Sequence, residues 1–289
     1  MNVTIKDCDE FYKILTFCEK FNTDVNINCS KDGWYLQCMD STHTAIVEFK
    51  MPVDYFNTFE CDKNYVLGLH LKIILKVIKN SCKKKDTTLL LKYNGEKDYV
   101  EITIQNSKEK FLCTYNIRLI DISADLVEIP AVDPQYAYTI PCVILKKWKE
   151  HVYDIHKASI KFTPAPTGIL IESNLDEQNK VAAFEGIQPT AFPQAVTAKF
   201  NQTINEKNME RIMTLLSFGM DINFRFVKGI PLLTYVTLPS GMELKGYYAP
   251  KMSDEDVEEE EDEIVPERSN KKRKLVDEDE MNQIAVAVN

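Results

Sequence analysis

The stretch Gly33-Trp-Tyr-Leu-Gln-Cys-Met-Asp-Ser-Thr-His43 leads into Cys61-Asp-Lys-Asn64 and then Leu69-His-Leu-Lys-Ile-Ile-Leu-Lys-Val-Ile-Lys79. The alternating residues at its start predict half-buried strands, and the last segment predicts an amphipathic helix. Because residues three and four apart share a helix face, the lysines and the aliphatic residues fall on opposite faces. The lysine face holds Lys72, Lys76, Lys79 and Lys83, and the aliphatic face holds Leu71, Ile74, Leu75 and Ile78. A sheet-backed helix with a lysine face favours a polyanionic partner.

The composition places the chain among globular proteins of about two domains. Its 289 residues contain no apolar run long enough for a transmembrane helix, and the first residues do not resemble a signal peptide. The eight cysteines show no Cys-x-x-Cys spacing and none follows Cys142. This pattern favours reduced cysteines in an intracellular protein over a zinc site or a disulfide framework, so we expect no metal and no cofactor.

The net charge of −9 is unevenly placed. The tail 253–289 has 14 acidic and 5 basic residues, which leaves residues 1–252 with 30 of each sign. Any affinity of the body for nucleic acid must therefore come from the distribution of charge over its surface and not from bulk charge.

Hydrophobic periodicity predicts an α+β protein with two helices and several strands in each half. In the first half we expect a helix at 7–21, capped by Asp7 or Asp9, the lysine-faced helix from about 69, and strands at 1–5, 25–30, 34–39, 44–49, 87–93, 99–106 and 110–119. In the second half we expect helices at 142–156 and 205–218 and strands at 135–140, 159–163, 168–173, 180–187, 194–201, 221–227, 232–238 and 242–248.

The two halves repeat. The strand that begins at Gly33 has a counterpart at Gly168, and the helix starts near 7 and 69 recur near 142 and 205, all with an offset of about 135 residues. A constant offset indicates an internal duplication. We therefore predict four domains or segments: a first domain at 1–119, a linker at 120–134, a second domain at 135–252, and a disordered acidic tail at 253–289.

Two ordered motifs carry a family resemblance. Leu36-Gln-Cys-Met-Asp-Ser-Thr-His43, Cys61-Asp-Lys-Asn64 and the helix that follows resemble the eukaryotic-type DNA sliding clamp of the proliferating cell nuclear antigen (PCNA) family. Gly246-Tyr-Tyr-Ala-Pro-Lys251 resembles the C-terminal motif of the same family. The resemblance covers about residues 1–252. The longer tail and the divergent body fit either a viral or a protist member.

The resemblance implies a ring of three identical subunits that encircles duplex DNA and serves as a processivity factor in replication and repair, without enzymatic activity. Edge strands at 110–119 and 180–187 of neighbouring subunits would pair, and helices would line the hole. The residues expected to face DNA, whose contacts would be independent of sequence, are Lys13, Lys20, Lys72, Lys76, Lys79, Lys146, Lys147, Lys149, Lys207 and Arg211. His70, His151 and His156 are equally consistent with a polar surface.

An outer pocket under the linker is also implied, which would bind short client peptides with a glutamine, an aliphatic residue and two aromatic residues. Its expected residues are Met39, His43, Ile46, Val127, Ile129, Pro130, Pro231, Tyr247, Tyr248, Ala249 and Pro250. Because Tyr248 directly precedes Ala249, unlike in typical members, either tyrosine could fill the pocket. Packing of Leu126, Val127 and Ile129 on the nearest sheet is an equally weighted alternative.

In the tail, Lys271, Lys272, Arg273 and Lys274 resemble a nuclear import signal, which predicts a nuclear protein, although a chance basic cluster is an alternative. The expected partners are DNA, further copies of the chain, a polymerase and other clients, and a clamp loader, but no membrane. Two rival classes remain. An enzyme lacks support from any phosphate loop or nucleophile with a base, whereas a monomeric polymerase accessory factor would differ from a ring in its mass in solution.

Overall fold

A computed structural model describes residues 1–123, 126–154, 158–173, 180–185 and 200–251, with residues 180–185 described by their backbone alone. The predicted tail, its basic cluster, Ile155, His156 and most of the predicted strand at 194–201 lie outside the described residues. No helix in the described part is long and apolar enough to cross a membrane.

The first half contains nine strands and two helices. Helix α1 spans Cys8–Glu19 and α2 spans Leu71–Cys82. The strands are β1 Asn2–Ile5, β2 Asp24–Ser30, β3 Gly33–Met39, β4 Ala45–Pro52, β5 Phe56–Glu60, β6 Tyr65–His70, β7 Thr87–Lys92, β8 Tyr99–Asn106 and β9 Phe111–Arg118.

In the described part of the second half there are eight strands and two helices. Helix α3 spans Cys142–Trp148 and continues as a π-helical turn over Lys149–Tyr153, and α4 spans Glu206–Thr214 and continues as a 3-10 turn over Leu215–Phe218. The strands are β10 Tyr136–Ile140, β11 Ile160–Ala165, β12 Gly168–Ser173, β13 Lys180–Glu185, β14 Gln202–Ile204, β15 Ile222–Phe226, β16 Leu232–Thr237 and β17 Glu243–Tyr248.

The sheets confirm the predicted duplication. In the first half, β5-β1-β7-β8-β9 form one sheet and β4-β3-β2-β6 lie side by side in a second. In the described part of the second half, β10-β15-β16-β17 repeat the order β1-β7-β8-β9, and β13-β12-β11-β14 repeat the order β4-β3-β2-β6. The hairpin strands β3 and β12 each begin with a glycine at positive φ, +122° at Gly33 and +153° at Gly168. A Cβ at Gly33 would lie 2.1 Å from the Met51 carbonyl oxygen, so only glycine fits there.

One pairing joins the halves into a single sheet of eight strands. Strand β17 runs antiparallel to β4, with Tyr247 opposite Ile46 and Leu244 opposite Phe49. We call this β17–β4 pairing the seam. In the repeat, β17 corresponds to β9 and β4 corresponds to β13.

The four helices form one row behind the sheets, in the order α2-α1-α4-α3, with the turn Leu215–Phe218 linking α4 to both neighbours. Asp7 caps α1 by accepting a hydrogen bond from the Glu10 amide at 2.9 Å, and Asn205 caps α4 in the same way from Asn208 at 2.8 Å. The predicted stripe of α1 is buried at Phe11, Ile14, Leu15, Cys18 and Phe21, as a helix packed on a sheet requires.

The predicted start of the lysine-faced helix was wrong. Leu69 and His70 end strand β6, because Leu69 pairs with Val25 in β2, so α2 begins at Leu71. The helix predicted at 142–156 is α-helical to Trp148 and π-helical over Lys149–Tyr153, and its predicted end at 155–156 lies outside the described residues. The pattern also missed strand β6, whose apolar residues continue directly into the apolar face of α2.

A buried ion pair ties the β3–β4 turn to α4. Arg211 is 1% exposed, and its Nη2 donates to Asp40 Oδ2 at 3.0 Å and its Nε to the Lys20 carbonyl at 2.9 Å. Burial alone would raise the pKa of Asp40, but hydrogen bonds from Thr42, the amides of Thr44 and Ala45, and Arg211 outweigh it and hold that pKa well below its usual range. This contact therefore connects the two halves across the helix row.

Replacing Arg211 with alanine should lower the free energy of unfolding by about 3–5 kcal/mol at pH 7, because it leaves the Asp40 carboxylate buried without its partner. Since the folded pKa of Asp40 is depressed, its contribution is present above about pH 4 and is lost as the pH falls below that value. Urea unfolding at pH 7 and pH 3 measures both effects.

Lys207 is the control, because its Nζ lies 3.7 Å from the same Asp40 oxygen but its side chain is 56% exposed. Lys207→Ala should cost no more than about 1 kcal/mol. Equal losses in the two variants would contradict a special role for the buried pair.

Candidate functional site

The lysine face of α2 is open to solvent. Leu71, Ile74 and Ile78 are buried, whereas Lys72, Lys76, Lys79 and Lys83 are exposed on the other side. Lys72 lies 3.9 Å from Glu19, but within the described residues no carboxylate is at ion-pair distance from the other three. Three unpaired ammonium groups on one face attract a polyanion.

The cations of the other helices differ in how far they are neutralised. Lys146 and Lys147 of α3 are exposed, with no ion pair in the part of the chain that is described. The remaining predicted lysines each contact a carboxylate: Lys13 with Asp9 at 2.8 Å, Lys20 with Glu210 at 3.3 Å, Lys149 with Asp154 at 2.6 Å and Lys207 with Asp40 at 3.7 Å. The free positive charge of the row therefore concentrates on α2 and α3.

Arg211 corrects the predicted set, because a buried side chain bound to Asp40 cannot face DNA. The position of Arg211 in the sequence already indicated that its side chain is buried. Arg211 follows Asn208 by three residues and precedes Leu215 by four, and all three lie on the buried stripe of α4 and its turn.

The segment 120–134, here called the strap, has neither helix nor strand in its described part and crosses the outer sheet face. The Ile120 amide donates to the Gly68 carbonyl at 2.9 Å, and Asn26 Nδ2 donates to the Ile122 carbonyl at 2.9 Å. A Cβ at residue 68 would lie 1.9 Å from the Ile120 oxygen, so Gly68 permits this approach.

Farther along the strap, the side chain of Gln37 binds the backbone of Val127 twice. Its Nε2 donates to the Val127 carbonyl at 2.8 Å, and its Oε1 accepts from the Val127 amide at 2.7 Å. The amide side chain thus takes the place of a neighbouring strand. Since Leu126 is 56% exposed and Val127 is 40% exposed, these two side chains are not packed into the sheet as the alternative interpretation had it, whereas Ile129 is half-buried.

A groove of about 620 Å³ lies between the strap and the eight-stranded sheet. We call it the client groove. Five of the predicted pocket residues line it: Val127, Ile129, Pro130, Pro231 and Tyr247. Met39 and Ile46 do not line this cavity but extend its floor, since they lie opposite each other and Ile46 lies opposite Tyr247.

The other predicted pocket residues lie elsewhere. His43 is exposed in the β3–β4 turn at φ +57°, and Ala249 and Pro250 are half-buried beyond β17, where the Ala249 amide donates to the Thr44 carbonyl at 2.8 Å. Tyr248 is fully buried and corrects the prediction, so Tyr247 is the tyrosine of the groove. The alternation of side chains along a strand could have decided between the two tyrosines, because Leu244, Gly246 and Tyr248 lie on one face of β17 and Lys245 and Tyr247 on the other.

Sequence reasoning missed several groove residues. Tyr35, Gln37, Glu48, Arg225, Leu233 and Lys245 all line it. They occupy the outward positions of β3, β4, β15, β16 and β17. The alternation of buried and exposed residues along these strands indicated only that these side chains face solvent. The Tyr247 hydroxyl donates to Glu48 Oε2 at 3.3 Å, and burial, with the neighbouring Glu48 charge, raises the pKa of Tyr247.

Residues 1–128, which include the whole first half and the Gln37–Val127 contact, match the family model for the N-terminal domain of proliferating cell nuclear antigen. This match and the relatives below support a sliding clamp of the proliferating cell nuclear antigen family. Members of this family are DNA sliding clamps that act as polymerase processivity factors. They are scaffolds rather than enzymes. The family implies DNA, further clamp subunits and client proteins as partners, and its eukaryotic members are nuclear.

Curated relatives are similar along most of the chain, and solved structures share its fold. The proliferating cell nuclear antigen of Caenorhabditis elegans is 25% identical over 250 residues, which cover 84% of this chain and 94% of that protein. Proliferating cell nuclear antigen 2 of Plasmodium falciparum is 30% identical over 142 residues, or 47% of this chain and 52% of that protein. The clamp structure from Entamoeba histolytica has a TM-score of 0.76 at 20% identity and covers 87% of this chain and 98% of its own. A PCNA2–PCNA3 complex from Sulfolobus tokodaii gives a TM-score of 0.75 at 18% identity, with coverage of 87% and 99%.

Gln37→Leu should release the middle of the strap. Two hydrogen bonds are lost, at about 0.5–1.5 kcal/mol each, so the Val127 amide should exchange with solvent about ten-fold faster or more. Hydrogen exchange read at single residues measures this. Gln105→Leu, at an exposed position of β8, is the matched control, and an unchanged Val127 rate in Gln37→Leu would contradict the proposed anchor.

Proposed function

We propose that three copies of this chain close into a ring around duplex DNA, and that the ring tethers polymerases and other client proteins through the client groove. The chain acts as a DNA sliding clamp and processivity factor. The observation that supports the ring is the seam. Strand β17 pairs with β4 inside the chain, while their repeat counterparts β9 and β13 have a partner on one side only within the described residues.

The same antiparallel pairing between β9 of one subunit and β13 of the next would complete the repeat. The unpaired amides and carbonyls of a strand edge can hydrogen-bond to a strand of another chain. An interface between two different surfaces closes into a ring when the rotation from one subunit to the next divides a full turn evenly. On β9, Phe111 is 43%, Leu112 66% and Tyr115 37% exposed. Apolar side chains at such an edge favour an interface over solvent.

The helix row would line the hole. Within the residues that the structure describes, its exposed and unpaired cations are Lys76, Lys79, Lys83, Lys146 and Lys147. The partly neutralised lysines complete the proposed DNA-facing set, namely Lys13, Lys20, Lys72, Lys149 and Lys207. Lysine contacts to phosphate carry no sequence information, so such a ring can move along DNA. Arg211 supports this surface from inside by holding the β3–β4 turn.

On the outer face, the client groove would take peptides with an aliphatic residue and two aromatic residues against Ile129, Pro231 and Tyr247. Met39 and Ile46 would extend the site, and a clamp loader would use the same face. We further propose the boundaries 1–119, 120–134, 135–252 and 253–289 for the two domains, the linker and the tail. We also propose a homotrimer without enzymatic activity and a nuclear location through Lys271–Lys274.

Replacing Lys76 and Lys79 together with glutamate should reduce retention on closed circular DNA about ten-fold or more at physiological salt. Each change removes a phosphate contact and adds a repulsive charge. Both side chains are exposed, so the free energy of unfolding should change by about 0.5 kcal/mol or less for each. A retention assay and a processivity assay on a primed circle measure the effect.

Lys31→Glu with Lys50→Glu is the charge-matched control, because both residues are exposed at the β2–β3 turn and on the outer side of β4. It should retain DNA as the wild type does. If both double variants lost DNA equally, bulk charge and not the helix row would explain the binding.

A further inference from the structure

The client groove has a cation on its floor that no described acidic group neutralises. Arg225 projects from β15 beside Leu233 and lines both the groove and a smaller adjoining cavity of about 310 Å³. Its guanidinium lies over the ring of Tyr235 at 4.9 Å, and Nη2 donates to the Tyr235 hydroxyl at 3.0 Å. Stacking and this hydrogen bond fix the guanidinium in place before any ligand arrives.

Most of the binding capacity of Arg225 is unused. A guanidinium has five N–H donors, and Tyr235 takes one of them. Within the part of the chain that is described, no carboxylate lies at ion-pair distance from Arg225. A half-buried guanidinium with free donors matches a carboxylate, which can accept two parallel hydrogen bonds from it.

Among the described residues, the other charged groups around the groove form no ion pair with the Arg225 guanidinium. Lys245 lies opposite Tyr235 on the neighbouring strand and adds a second cation, which contacts Glu243 at 3.2 Å. Glu48 accepts the Tyr247 hydroxyl, and Glu128 lies on the exposed strap. Asp133 lines both cavities with Arg225 and is the one acidic residue common to the two.

We propose that Arg225 makes the client groove select peptides that carry an acidic residue, Asp or Glu, next to their apolar anchor residues. This inference rests on the proposed function of the groove as a client site. Arg225 holds the peptide carboxylate through its free N–H donors, and Lys245 adds a longer-range attraction. Because Tyr235 orients the guanidinium, a lysine at position 225 would supply the charge without the two-point geometry.

Three synthetic peptides test the proposal on the full chain by calorimetry at low salt. All share one motif of glutamine, an aliphatic residue and two aromatic residues. One has neutral flanks, one has two glutamates before the motif, and one has them after it. One acidic peptide should bind roughly ten-fold tighter than the neutral peptide or better, since hydrogen bonds to charged groups are the strong ones.

In Arg225→Gln the ratio of acidic to neutral affinity should fall to about one, and in Arg225→Lys it should be intermediate. Lys31→Gln, at an exposed turn, is the matched control and should keep the wild-type ratio. Asp133→Asn should increase the ratio, because it removes the acidic residue that shares both cavities with Arg225. Circular dichroism of each variant checks that it is folded.

The outcomes separate the two claims. If the neutral peptide binds and Ile129→Ala weakens that binding about 5- to 150-fold, the groove is supported as a client site, because Ile129 would be a central apolar contact. If that holds but neither acidic peptide binds tighter than the neutral one, the role of Arg225 is overturned and the groove remains. If no peptide binds at all, the proposed client site and the selectivity both fail.

Discussion

An unpaired strand edge is the constraint on which this architecture depends. Backbone amides and carbonyls at a strand edge lack hydrogen-bond partners from a neighbouring strand. Within the chain, β17 and β4 supply these partners to each other. The duplication then produces the same pair of edges again at β9 and β13. In the proposed assembly, the same pairing is repeated between subunits, so that three chains of two domains each would build a ring of six domains.

The seam also orders the two faces of the molecule. Side chains at inward positions of β4 and β17, such as Phe49 and Tyr248, are buried beneath the helix row, and those at outward positions, such as Glu48 and Tyr247, line the groove. One sheet therefore carries a cationic helical surface on one side and a peptide-sized groove on the other. The Arg211–Asp40 pair fixes the turn between β3 and β4 to α4, so it stabilises both surfaces at once.

Local patterns predicted the fold well because helices and strands are encoded at short range. The stripe of α1, the faces of α2 and the constant offset between halves needed only neighbouring residues. The burial of Arg211 depends on Asp40, which is 171 residues away, and no local pattern encodes such a partner. The helix boundary at Leu71 failed for a related reason, since the pairing of Leu69 with Val25 in a distant strand overrides helical periodicity. In the groove, the sequence pattern predicted the linker, and family resemblance supplied Tyr247 as one of two candidate tyrosines, whereas Gln37 and Arg225 were identified only from the three-dimensional contacts.

Closure of a ring through the β9 and β13 edges determines the molar mass of the full chain in solution. Light scattering at micromolar concentration measures this mass. A closed ring of three chains should give about 100 kDa, three times the chain mass of 33.3 kDa, and the mass should fall when Leu112 of β9 is replaced with glutamate. A mass near 33.3 kDa for the unmodified chain would contradict ring closure.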